Sequence, residues 1–160
     1  FMARAMAIAR ESIDSLGTLP YGAVVVMDGK IIGEGLNRAG ATCDPTSHGE
    51  IDAIRDACTR LSVTSLKGAD LYTTGEPCSM CVATMYQVGI ARLFYAGTAS
   101  DSAAFFGRLA EHDPKWARAM SNQELREQVG LPMDQRSMPA EQMMVDDIVA
   151  VFEDFIVRHT

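Results

Sequence analysis

Apolar residues recur at helical spacing near the start of the chain and then give way to two strand-like runs. Met2, Met6, Ala9, Ile13 and Leu16 follow steps of four and three, which is the period of one apolar helix face. Two apolar runs then flank an Asp-Gly pair, GAVVVM before it and KIIGEG after it. Because an Asp-Gly pair between such runs is a strong hairpin signal, this pattern predicts one helix followed by a β-hairpin.

The next part of the chain alternates helical and strand patterns. Residues 37–47 are rich in turn formers and predict a loop, and residues 48–61 return to a helical period. Residues 69–74 predict a short buried strand, residues 78–89 a helix, and ARLFYAG a further strand. This order favours parallel pairing after an antiparallel start, so we predict an α/β fold: a three-layer α/β/α sandwich around a mixed central sheet.

The last third of the chain, about residues 98–160, contains three helical patterns and no clear strand. They lie in SDSAAFFGRLAEHDPKWARAM, SNQELREQVG and MPAEQMMVDDIVAVFEDFIVRH. A late hairpin or extra strand stays open as an alternative. The chain has no internal repeat and no linker long enough to divide it, so we predict one domain over residues 1–160 with a helical C-terminal third.

Composition and charge narrow the class of protein. The chain has 160 residues, of which 48% are hydrophobic and 22% charged, and this balance is typical of a globular domain. The net charge of -7 disfavours non-specific nucleic-acid binding. No apolar run approaches the roughly 20 residues of a membrane-spanning helix, and the charged N-terminal residues do not resemble a signal peptide. We therefore expect a cytoplasmic protein whose four cysteines are thiols or metal ligands rather than disulfides.

Two short motifs carry candidate chemistry, and both open a predicted helix. Cys78 and Cys81 are spaced i, i+3 in a first helical turn, so their sulfurs lie on nearly the same side, where the helix dipole favours thiolates. His48, at the start of the other helix, would supply a third ligand. Two cysteines, one histidine and one water form a catalytic zinc site, because structural zinc sites usually have four protein ligands.

Glu50 lies two residues after His48, about 200° around a regular helix. Both side chains can address a site beyond the end of the helix, where Glu50 would take a proton from water without binding the metal. Taken alone, the Cys-x-x-Cys pair is more typical of a redox or structural zinc site, and His-x-Glu is common by chance. Their combination favours catalytic zinc. Cys58 falls on an apolar helix face and Cys43 in a loop, so neither is expected to bind the metal.

The combined pattern of His-x-Glu and Pro-Cys-x-x-Cys resembles the zinc-dependent cytidine-deaminase-like superfamily. The resemblance runs to about Gly97, and its most specific stretches are HGEIDAIRDAC, LYTTGEPCSMC and LFYAG. Within the superfamily the chain looks most like the branch of guanine deaminases and tRNA adenosine deaminases. The resemblance implies zinc on His48, Cys78 and Cys81 and Glu50 as proton shuttle. It also implies that Asn37 hydrogen-bonds the base and that the protein is a homodimer.

The sequence departs from that branch in two places. Gly49 stands where the branch usually has Ala, and we expect the missing methyl group to widen the floor of the pocket. Beyond Gly97 the sequence diverges, although guanine deaminases of this branch use a second carboxylate in that segment. Glu111 and Asp113 are the nearest candidates, and a solvated loop is the alternative interpretation of both.

The implied reaction is hydrolytic deamination with release of ammonia. We expect a free nucleobase as substrate, guanine or a related aminated purine or triazine, because the C-terminal third is acidic and would repel RNA. Deamination of tRNA adenosine, or of cytosine or a nucleoside, remains an alternative, as does a zinc-stabilised interaction domain without activity. Phe152 and Phe155 would either pack on a partner chain or belong to the core of their own chain.

Overall fold

The computed structural model describes residues 1–159, and its contacts divide the chain into two units, Phe1–Arg126 and the residues from Glu127 onward. The chain forms, in order, α1 (Met2–Glu11), β1 (Leu19–Met27), β2 (Lys30–Asn37), α2 (Ala39–Thr42), α3 (Gly49–Leu61), β3 (Asp70–Gly75), α4 (Ser79–Val88), β4 (Arg92–Gly97), α5 (Ala99–His112), α6 (Asn122–Gly130) and α7 (Val145–His159). Short 3-10 turns cover Ser12–Asp14, Pro114–Trp116 and Met133–Gln135.

The four strands form one mixed sheet in the order β2-β1-β3-β4. β1 is antiparallel to both β2 and β3, whereas β3 and β4 are parallel. Asp28 and Gly29 connect β1 to β2, and both have positive φ angles, 51° and 72°. Two successive residues with positive φ form a tight turn whose twist matches the strands on either side, which confirms the predicted hairpin. The strand pairing confirms the predicted mixed sheet.

Helices cover both faces of the sheet, as the alternation of β1 requires. Ala23 and Val25 face one cluster of buried residues, to which α3 and α4 contribute Ile51, Ile54, Cys81 and Met85. Val24 and Val26 point to the opposite face, where Ile8 of α1 packs against them. The predicted three-layer α/β/α sandwich is therefore confirmed.

The C-terminal part of the chain is helical, as predicted, but its helices are shorter than the sequence patterns. Within residues 1–159 there is no strand after β4, which answers the open alternative of a late hairpin. The prediction of one domain over residues 1–160 stays a prediction, because the contacts describe two units. In the same residues, no helix combines the length and the apolar character that crossing a bilayer would need.

Gly49, the first residue of α3, allows this helix to approach β1 closely. A Cβ atom at Gly49 would lie 2.4 Å from the backbone oxygen of Tyr21, far inside van der Waals contact. The missing methyl group therefore makes room for the β1 backbone, which differs from the expected widening of the pocket floor. Tyr21 is itself placed by this approach, and its ring passes so close to Gly75 that a Cβ there would lie 2.8 Å from it.

Gly49→Ala should lower the free energy of unfolding by about 1–3 kcal/mol, because a methyl group forced against a backbone oxygen displaces helix or strand. Gly107→Ala in α5 is the matched control, since nothing lies within 4 Å of its Cβ position. The control should raise stability by about 0.5–1 kcal/mol through helix propensity. Urea denaturation measures both values, and a Gly49→Ala protein as stable as the control would contradict the close approach.

Candidate active site

Three metal-ligating side chains meet where α3 and α4 begin. His48 is the residue before α3, Cys78 is the residue before α4, and Cys81 lies in the first turn of α4. The Nδ1 atom of His48 is 3.7 Å from the sulfur of Cys78 and 3.5 Å from that of Cys81, and the two sulfurs are 3.7 Å apart. This arrangement was expected from the motif spacing and is the geometry of a shared metal ion.

These separations fit zinc. Tetrahedral zinc with Zn–S bonds of about 2.3 Å and Zn–N bonds of about 2.0–2.1 Å would hold its ligand atoms about 3.5–3.8 Å from one another. The donor set also fits, because thiolate sulfur and imidazole nitrogen are ligands that zinc prefers. His48, Cys78 and Cys81 are therefore positioned to bind one zinc ion, with a fourth position left for water or substrate.

The cysteine pair readily forms a thiolate. The pKa of Cys78 is lowered to about 3, because the Cys81 thiol donates a hydrogen bond to it and His48 stabilises the same charge. The pKa of Cys81 is raised, because its thiol donates to Cys78 and is buried. The pKa of His48 is raised by its hydrogen bond with Cys78. A cation at this point would release the remaining thiol proton, since metal binding and deprotonation are coupled.

Glu50 lies in the first turn of α3 and faces the same site. It is 5% exposed, which is rare for a carboxylate without a cationic partner. Burial raises the pKa of its carboxyl group, and a backbone hydrogen bond and the charge of His48 act in the opposite direction. A buried carboxyl group with a raised pKa, next to a metal site that it does not ligate, is suited to accept and return protons.

The loop between β2 and α3 is fixed by the buried carboxylate of Asp52. Its Oδ2 atom accepts hydrogen bonds from Ser47 Oγ at 2.8 Å and from the guanidinium of Arg38 at 3.2 Å. The Arg38 backbone N–H also donates to the Ser47 carbonyl at 3.0 Å. These contacts close the loop at its base, so Asn37 at its start and His48 at its end face the same cleft.

A narrow cleft opens beside the three ligands. Its volume, as the space open to a water-sized sphere, is about 30 Å³. Nine residues of the first unit line it: Tyr21, Asn37, His48, Glu50, Glu76, Cys78, Ser102, Arg118 and Asn122.

Asn37, which the resemblance marks as a ligand of the base, lies in this cleft and is 4% exposed. Its Oδ1 atom accepts a hydrogen bond from the Ala39 N–H at 3.3 Å, which leaves its NH₂ group to donate to a ligand.

Glu111 and Asp113, the candidates for a second carboxylate, do not line the cleft. Glu111 is exposed near the far end of α5, about 18 Å along the helix axis from Ala99. The Asp113 carboxylate accepts from the Lys115 backbone N–H at 3.1 Å and pairs with its ammonium group at 2.6 Å. Sequence proximity to β4 is therefore a poor guide here, because α5 carries both residues away from the cleft.

Five lining residues were missed by the sequence analysis: Tyr21, Glu76, Ser102, Arg118 and Asn122. Glu76 belongs to the GEPC stretch, but its oxygens accept from the Ala99 N–H at 2.8 Å and from Arg126 at 2.5 Å. Glu76 therefore anchors the start of α5 and the middle of α6. Arg118 and Asn122 follow the turn after α5, where no motif or periodicity marked them.

The chain matches the family model described as the cytidine and deoxycytidylate deaminase zinc-binding region over residues 1–97. It is similar to the guanine deaminase of Bacillus subtilis, with 32% identity over 153 residues, 96% of this chain and 90% of the relative. The X-ray structure of a Bacillus subtilis guanine deaminase superposes on it with a TM-score of 0.80 and 31% identity, covering 97% of this chain and 90% of that chain.

A second group of enzymes shows a higher sequence identity over a shorter part of the chain. The tRNA-specific adenosine deaminase of Agrobacterium fabrum is 45% identical over 95 residues, which cover 59% of this chain and 62% of the relative. The superfamily resemblance and the zinc cofactor expected from the motifs are thereby confirmed.

Cys78→Ala and Cys81→Ala should each lose bound zinc and unfold at a lower temperature, because metal binding is coupled to folding. Atomic absorption should find about one zinc per parent chain. Cys43→Ala is the matched control, because this exposed cysteine lies outside the ligand set and its loss should leave the zinc content unchanged. Full zinc content in both ligand variants would refute the site.

Proposed function

The chain belongs to the zinc-binding cytidine and deoxycytidylate deaminase family and is a zinc-dependent hydrolytic deaminase, and we propose that its substrate is a free nucleobase, guanine or a related aminated purine or triazine. With guanine the reaction consumes water, releases ammonia and leaves xanthine, which would place the enzyme in purine metabolism. We also propose that residues 1–160 act as one deaminase domain.

The extent of similarity is the observation that carries this proposal. The similarity to guanine deaminase extends over 96% of the chain and includes the C-terminal third. The similarity to tRNA-specific adenosine deaminase covers 59% of the chain. Cleft-lining residues such as Ser102 and Arg118 lie beyond β4, so the part of the chain that would distinguish substrates favours the guanine deaminase.

In the proposed mechanism, this chain's residues hold the base and carry its protons. Bound zinc on His48, Cys78 and Cys81 supplies a Lewis acid that makes water nucleophilic near neutral pH. The Asn37 NH₂ group donates to an acceptor on the ring. Glu50 accepts a proton of the attacking water and delivers it to the ring nitrogen beside the amine-bearing carbon. It then takes the second proton, from the hydroxyl that has added to this carbon, and passes it to the departing amine as the carbonyl forms.

Three other functions were open from the sequence. A tRNA adenosine deaminase has to hold an anionic stem, and the net charge of -7 gives no support for this or any other nucleic-acid partner. Cytosine or a nucleoside stays an alternative substrate for the same chemistry. A zinc-stabilised interaction domain would leave the buried Glu50 without a role, and the family membership favours the enzyme.

We also propose that the enzyme is a cytoplasmic homodimer. The four cysteines are free thiols, as a reducing compartment would keep them, and zinc binding depends on two of them.

Phe152 and Phe155 of α7 are 57% and 61% exposed, which does not support a place in the core of their own chain. β4 also exposes Phe94 and Tyr95. Apolar surface of this kind is typical of interfaces between subunits.

The purified zinc-loaded protein should release ammonia from guanine faster than from adenine, cytosine, cytidine or a tRNA anticodon stem-loop. A coupled ammonia assay over this panel measures kcat/KM for each substrate. The greatest rate on the stem-loop would contradict the free-base proposal, and no ammonia from any member of the panel would contradict the substrate class altogether.

Glu50→Gln should retain zinc and stability and lose at least about 100-fold in kcat, because the amide keeps the shape of the side chain but cannot carry a proton. Zinc content and kcat are measured on the same preparation. Activity within tenfold of the parent would assign the proton transfer to another group, and loss of zinc would show that Glu50 is a ligand.

Sedimentation velocity should give a particle of twice the 17.3 kDa chain mass. Phe155→Glu should shift this particle towards the monomer, because a charge would have to be buried in the apolar contact. Leu16→Glu is the control, since Leu16 is 97% exposed and lies outside these surfaces. A monomeric parent at micromolar concentration would contradict the dimer.

A further inference from the structure

Arg118 brings an uncompensated cation to the cleft. Its guanidinium lines the cleft, and none of the ion pairs in residues 1–159 includes it. Its Nη1 atom donates one hydrogen bond, to the Oδ1 atom of Asn122 at 3.2 Å. Because a guanidinium has five N–H donors in a planar fork, most of its donors remain available to a ligand.

An aromatic wall fixes the position of this cation. The Arg118 guanidinium lies 3.8 Å from the centroid of the Phe106 ring, within the range of a cation–π contact. Phe106 is buried and lies parallel to Tyr21, with ring centroids 6.3 Å apart and an interplanar angle of 6°. Tyr21 and Arg118 both line the cleft, so the guanidinium is held at its edge by a packed support.

The cleft offers hydrogen-bond donors to a base, whereas its two carboxylates are already engaged. The oxygens of Glu76 already accept from Arg126 and the Ala99 N–H, and Glu50 is assigned to proton transfer. Asn37 and Arg118 remain as lining side chains with N–H donors to offer, beside the hydroxyl groups of Tyr21 and Ser102. A substrate that fits this cleft therefore carries acceptor atoms on the part of the ring away from the reacting carbon.

Guanine has such an edge. Its amine-bearing carbon is C2, and across the ring O6 and N7 form two adjacent acceptors. An arginine fork donates to this O6/N7 pair with matched geometry, and the resulting discrimination is worth a factor of about 10–100. A purine with an amino group at C6 places a donor at the same point, where it would meet the guanidinium unfavourably.

We infer that Arg118 determines substrate specificity by donating to O6 and N7 of the base while C2 faces His48, Cys78 and Cys81. The inference rests on the proposed function, since it assumes that the base is guanine. It replaces the expected second carboxylate with a cation, and it assigns selection of 6-oxopurines over 6-aminopurines to one side chain.

The test combines variants of the enzyme with variants of the base. kcat/KM is measured for guanine, for 7-deazaguanine, which lacks the N7 acceptor, and for 2,6-diaminopurine, which replaces O6 with an amine. The parent should prefer guanine to each analogue by about 10-fold or more. Arg118→Ala should lose about 10- to 100-fold on guanine and much less on either analogue, so that the preference largely disappears.

Two controls separate recognition from structural damage. Arg108→Ala removes an exposed arginine of α5 outside the cleft and should leave all three values unchanged. Calorimetry of guanine binding to the inactive Glu50→Gln protein, with and without Arg118→Ala, should show the same 10- to 100-fold change in Kd without turnover.

The outcomes distinguish the inference from the function on which it rests. Equal loss on all three bases, or no loss on guanine, would overturn the role of Arg118 while guanine deamination by the parent stands. No deamination of guanine by the parent would overturn the proposed function and the inference with it.

Discussion

The structure depends on the placement of two helix starts at one point beside the sheet. His48 precedes α3, and Cys78 precedes α4, and both helices pack on the same face of the sheet through Ile51, Ile54, Cys81 and Met85. Apolar burial on that face therefore sets the separation of the three metal ligands. A helix start also presents unpaired N–H groups, which favour the negative charge of thiolates and of a developing oxyanion.

The same packing connects the fold to the cleft. The contact of Gly49 with the Tyr21 backbone brings β1 against the start of α3, and Tyr21 then supports the aromatic wall on which Arg118 rests. Asp52 holds the loop that begins with Asn37. Asn37, His48 and Glu50 are thus positioned by contacts of α3 that are mostly buried, which limits their motion relative to one another.

Much of this arrangement could be predicted because it depends on short spacings. The positions of His48, Glu50, Cys78 and Cys81 at two helix starts predicted that these side chains lie together, and Asp28-Gly29 predicted the hairpin. The cleft beyond the metal could not be predicted in this way. Arg118 and Asn122 return to the cleft after a turn that no periodicity marks, and Glu111 was placed near it only because its distance along the chain from β4 was small.

A crystal structure of the zinc-loaded Glu50→Gln protein with guanine tests the central claim most directly, because it shows metal, base and side chains together. The account predicts one zinc ion on His48, Cys78 and Cys81, with C2 of guanine as the ring atom nearest to it. The Asn37 NH₂ group should lie within hydrogen-bond distance of the ring. Zinc on a different ligand set, or guanine bound with C2 turned away from the metal, would contradict it.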